Sequence, residues 1–85
     1  MKTVWKFEFA ICDDPQITNV PHGAQFLACA MQGTRLCLWA EVDPSQPMVE
    51  RRFFVHGTGH PIPPTRHYRG TAHDAPFVWH LYEGE

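Results

Sequence analysis

The sequence predicts an all-β fold, a small antiparallel sandwich or partly open barrel of six to seven short strands. Three observations predict it. Apolar and polar residues alternate at a period of two along several short stretches, clusters of Pro, Gly and Asp interrupt the chain between them, and no stretch makes a convincing helix.

The first strand is the clearest: Thr3, Trp5, Phe7 and Phe9 fall on one face, and Val4, Lys6 and Glu8 on the other. Asp13-Asp14-Pro15 breaks it, because proline holds the preceding residue extended and the aspartates suit a turn. Gln16 to Val20 is a short second strand, ended by Pro21-His22-Gly23. Gln25 to Met31 is apolar on both faces, with Leu27, Cys29 and Met31 opposite Phe26, Ala28 and Ala30. A helix over 24–32 also fits the composition, but so short a run without an acidic first turn is a poor helix. Arg35 to Val42 sets Leu36, Leu38, Ala40 and Val42 against Arg35, Cys37, Trp39 and Glu41. Gln32-Gly33-Thr34 is the natural hairpin turn before it, with Gly33 supplying a positive φ.

After the loop Asp43-Pro44-Ser45-Gln46-Pro47, Val49 to His56 alternates again. Gly57 to Pro64 holds too many glycines and prolines for a helix or a central strand. Tyr68 to Ala72 and Phe77 to Tyr82 form a closing hairpin around His73-Asp74-Ala75-Pro76. In its last strand Phe77, Trp79 and Leu81 face one way, and Val78, His80 and Tyr82 the other.

At 85 residues the chain has room for a single domain, residues 1–85, and a modest core. It is 44% hydrophobic with a net charge of −2, too apolar to be disordered. A small β domain with a strand apolar on both faces is expected to associate, either with a partner or as a homo-oligomer. Seven basic against nine acidic side chains leave no strong nucleic-acid footprint. Lys2 and Lys6 interrupt the first stretch, so no secretory leader is expected, and no run nears the roughly 20 apolar residues of a membrane span. Cys12, Cys29 and Cys37 are odd in number and lack the spacing of a metal knuckle or redox pair, so free thiols in a reducing compartment are expected.

Thr3-Val4-Trp5-Lys6-Phe7, Leu36-Cys37-Leu38-Trp39-Ala40 with Val42-Asp43-Pro44, Gly57-Thr58-Gly59-His60-Pro61-Ile62 and Phe77-Val78-Trp79-His80 together resemble a family of small proteins encoded by tailed bacteriophages. The resemblance runs from Lys2 to about Glu83 and is weakest over 64–76. It implies a phage product acting in the cytoplasm of a bacterial host, and it carries no known activity or catalytic residue.

Two constellations are candidates for binding. In His56-Gly57-Thr58-Gly59-His60-Pro61 the glycine amides could line an anion-binding concavity, with Thr58, His56 and His60 adding polar groups. The alternative is a tight strand exit in which the histidines hydrogen-bond locally. A Walker-type phosphate loop is excluded by the missing Gly-Lys-Ser/Thr ending. The second constellation joins Arg51 and Arg52 with Arg66-His67-Tyr68-Arg69 and the flat rings of Trp39 and Trp79. Arg51 alternates with Val49 and Phe53, so it falls on the apolar side and must find a carboxylate, an aromatic face or a ligand. Such a set could hold a nucleotide or a protein partner. The competing reading pairs these cations across strands with Glu8, Glu41 and Glu50.

No catalytic residues, metal ligands or cofactor are expected. Ser45 lies in a Pro-rich loop without elbow glycines, Asp13 and Asp14 are turn formers, and His56 and His60 lie on a segment that cannot be helical. The expected function is that of a phage accessory protein which binds and inhibits a host or bacterial defence protein. The other expectations are an oligomeric sponge for a small nucleotide signal, and a minor virion or assembly component.

Overall fold

A computed structural model describes residues 1–85. Seven strands form in the order β1 (Thr3–Phe9), β2 (Gln16–Pro21), β3 (Gln25–Gln32), β4 (Arg35–Val42), β5 (Met48–Gly57), β6 (His67–Asp74) and β7 (Phe77–Gly84), with no helix. They divide into a three-stranded sheet β1-β4-β3 and a four-stranded sheet β2-β5-β7-β6, each antiparallel throughout. The sheets stay separate, so the sandwich holds and the barrel does not.

The predicted alternation places the core. Phe9, Leu36 and Leu38 from one sheet meet Phe53, Val55, Ala72 and Leu81 from the other, and Phe9 packs on Phe53 with centroids 4.9 Å apart. Each sheet thus buries one face and leaves the other to solvent, as antiparallel sheets commonly do. The crossover from β1 to β2 is tied by the Gln16 side chain. Its Oε1 accepts from the Ala10 amide at 2.8 Å and its Nε2 donates to the Ala10 carbonyl at 2.9 Å.

Two bulges change which face a side chain takes. On β3, Phe26 pairs with Ala40 but Ala28 pairs with Trp39, leaving Leu27 as the extra residue. Phe26 therefore joins Cys29 and Met31 on the inner face, whereas strict alternation set it with Ala28 and Ala30. Leu27, Ala28 and Ala30 remain exposed. On β6 the extra residue is Arg69, between the Tyr68–Tyr82 and Gly70–Leu81 pairs. Beside that bulge the sheets touch: a Cβ on Gly70 would collide with Cβ of Cys29 and lie 3.3 Å from its Sγ. Glycine is what lets β6 rest against β3 at this corner.

Candidate functional site

The predicted residues separate into three places. Inside the mouth of the sandwich, the Glu83 carboxylate accepts from Arg51 Nη2 at 2.6 Å and from Arg69 Nε at 2.9 Å, with Arg51 Nε donating as well. Both guanidinium groups also lie against Phe26 of the facing sheet, 4.8 and 5.3 Å from its centroid. Arg51 thus finds both a carboxylate and an aromatic face. The carboxylate is Glu83, not Glu8, Glu41 or Glu50, because β7 pairs with β5 and brings Glu83 opposite Phe53. Burial alone would raise the Glu83 carboxyl, but hydrogen bonds and charge from Arg51 and Arg69 outweigh it and hold the group below its ordinary value.

The second place is the solvent face of the four-stranded sheet. Two neighbouring cross-strand rows run over it, Thr71–His80–His56 and Tyr68–Tyr82–Phe54. His56 and Tyr82 meet edge to face at 5.5 Å, and Tyr82 and Tyr68 at 5.6 Å. His80 sits between two hydroxyls, 2.9 Å from Thr58 Oγ1 and 3.0 Å from Thr71 Oγ1, and Thr71 shares a further hydrogen bond with the Tyr68 phenol. Residues 58–66 fold back over one end of this face. There the Arg66 guanidinium stacks 3.3 Å above the Phe54 ring and its Nη1 donates to His56 Nε2 at 3.1 Å. An arginine stays charged, so His56 accepts on Nε2 and carries its own proton on Nδ1. Burial first, then the Arg66 charge, lowers the His56 pKa. Arg52, in the next row, is exposed and has no ion-pair partner. Tyr68 is 55% exposed.

The third place is the turn at the end of β5. The His60 amide donates to the Gly57 carbonyl at 3.1 Å, and the Gly57 amide donates to His60 Nδ1 at 3.2 Å. Gly59 takes φ +90°, a value that side chains resist. The turn itself therefore uses the Gly57 and His60 amides, and His60 bonds locally. Trp79 faces inward against the core, its Nε1 donating to Asp74 at 3.2 Å. Trp39 lies on the solvent face of the other sheet, apart from the rest. No three His, Cys, Asp or Glu side chains converge closely enough to hold a metal ion.

Sequence reasoning named Arg66 among the clustered cations without placing it over Phe54, and it missed Phe54, Tyr82, His80 and Thr71 as members of this face. Parity already set His80 and Tyr82 opposite Trp79, and Phe54 in phase with His56; that signal could have found three of the four.

A family model, described as a domain of unknown function (DUF7352), matches residues 1–85. The chain belongs to this family. No curated protein and no solved structure matches it. In this DUF7352 chain the candidate site therefore stands on its own geometry.

Proposed function

We propose that the chain is a non-catalytic binding protein of phage origin that docks on a host or bacterial defence protein and blocks it stoichiometrically. The solvent face of the four-stranded sheet carries this reading. Where a solvated sheet face is ordinarily polar, this one presents Tyr68, Tyr82 and His56 in contact, with His80 in the row beside them and Arg52 free. Tyrosine and arginine over a preformed flat surface are the usual anchors of a protein interface, because they bring large contact area at small cost in side-chain freedom. Its unpaired cation is the exposed Arg52, so the fitting partner presents a carboxylate beside an apolar patch. The cations best suited to gather a phosphate, Arg51 and Arg69, are already bound to Glu83, which weighs against a nucleotide sponge. The resemblance to phage-encoded proteins supplies the bacterial cytoplasm as the setting.

The test is purification from infected cells followed by native mass measurement. A stoichiometric bacterial protein is expected, retained by Leu27→Ser on the other sheet and lost in Tyr68→Ala and in Arg52→Glu, with melting temperatures near the parent's. A co-purifying nucleotide, or a protein partner indifferent to both substitutions, would overturn the proposal.

A further inference from the structure

The solvent face of the three-stranded sheet has a different character. On β1 its outward residues run Val4, Lys6, Glu8; on β4 Glu41, Trp39, Arg35 and Cys37, the last wholly covered by its neighbours; on β3 Gln25, Ala28, Ala30, Gln32. Leu27 at the bulge is 55% exposed and Val4 52%. Ala28 and Ala30 are exposed but project little, so the β3 side of the face is smooth and apolar.

The charges on this face are arranged as their own complement, and we propose that it is the interface between two copies of this chain. Consider a two-fold axis lying in the interface, across the strands, between the Lys6–Trp39–Ala28 row and the Glu8–Cys37–Ala30 row. It lays β1 on β1, β4 on β4 and β3 on β3, each antiparallel. Lys6 of one copy then faces Glu8 of the other, and Arg35 faces Glu41, each twice by symmetry. The alanines meet each other, and Trp39 of one copy covers the Cys37 position of the other. Aligned face-to-face packing of twisted sheets is a standard arrangement. Neither Glu8 nor Arg35 has an ion-pair partner within its own chain, while Lys6 donates to Gln32 at 2.9 Å and Glu41 lies 3.6 Å from Lys2, both in exposed contacts that can exchange for the pairs across the interface.

Three strands of about eight residues give a footprint of roughly 14 by 27 Å. That is small beside the roughly 800 Å² per partner of a standard interface, so the dimer is weak and reversible. The two four-stranded faces point outward and stay free.

Sedimentation over a range of concentrations tests the arrangement. The parent is expected to pass from monomer to dimer, and added salt to shift it toward monomer. Arg35→Glu repels Glu41 twice and should raise the dissociation constant at least about tenfold. The double variant Arg35→Glu with Glu41→Arg restores the charge match and should return it close to the parent value. Arg35 is exposed and Glu41 half-exposed, so both variants should keep the fold. If either melts early, Ala30→Glu takes its place, setting a carboxylate against the smooth patch. A chain monomeric at the highest concentration, or a dimer indifferent to Arg35→Glu and to Ala30→Glu, overturns the proposal.

Discussion

Replacing Glu83 by Gln removes one charge from between two arginines and leaves the shape of the side chain unchanged. The carboxylate accepts three charge-assisted hydrogen bonds, two from Arg51 and one from Arg69. An amide oxygen at the Oε1 position still accepts from Arg51 Nη2 and Arg69 Nε, now without a charge, while the NH₂ faces Arg51 Nε. Losing one bond of about 1.5–3 kcal/mol and roughly half of each of the other two would give about 3–6 kcal/mol. The side chains of Arg51 and Arg69 are 21% and 29% exposed, so their heads recover part of this from water. The expected net loss is about 2–3 kcal/mol, against a total stability of roughly 4–13 kcal/mol for a chain of this length. It should lower the melting temperature by about 10–20 °C. Urea unfolding followed by tryptophan fluorescence measures it, with an unchanged m value certifying that the native state is intact. The pH dependence gives a second reading. Glu83 titrates below its ordinary 4.5 when folded, so the unfolded chain takes up the proton first as pH falls. Its stabilisation is complete above about pH 4.5 and is lost as pH drops through the folded value. The gap between parent and Glu83→Gln should therefore narrow in acid. A loss under about 0.5 kcal/mol, or a gap that stays constant with pH, would refute the claim that the triad is a desolvated unit.

Three other outcomes follow from the geometry. His56 is held below its ordinary 6.5 by burial and by Arg66, with His60 and His80 also opposing its proton and Asp13 favouring it. Its contribution to stability is present above pH 6.5 and lost as pH falls through the folded value, and Arg66→Gln should move its NMR titration midpoint upward. Gly70→Ala should cost about 1–3 kcal/mol in denaturant titration, because a new methyl overlaps Cβ of Cys29. Cys29 is pushed up to about 11 by burial and the neighbouring Cys37, and Cys37 is raised by burial, so Cys12 should react first with a thiol reagent at pH 8, the other two following only on unfolding.

All seven strands were legible because strong breakers bound them and most alternate with a period of two; Gln25–Met31, apolar on both faces, was placed by its flanking turns, and Thr3–Phe9 and Arg35–Val42 coincide with the observed elements. The bulges were not. A sequence does not mark where one residue is skipped in pairing, and Leu27 looks like any apolar strand residue; yet that skip turns Phe26 toward the core. Arg51 shows the same division. Its place on the apolar side follows from parity, but its partner stands 32 residues away on a strand whose neighbour only the sheet order reveals. On the solvent face, Tyr68, His56 and Arg66 were all candidates, but Arg66 sits in an irregular segment, so periodicity could not place it over Phe54 and against His56.

The close corner at Gly70 has a consequence for solubility. Phe26–Met31 contains no charge, proline or glycine, the composition from which cross-strand fibril growth is templated. One edge of β3 is occupied by β4, and β6 leans over the other side because Gly70 has no side chain to hold it off. The outer edge strand β1 is guarded differently, by Lys2 beside it and Lys6 within it. A substitution that pries β6 away from β3 would therefore uncover the one strand that lacks gatekeepers. Variants at Gly70 should be lost to insoluble aggregate well before the rest of the sandwich unfolds.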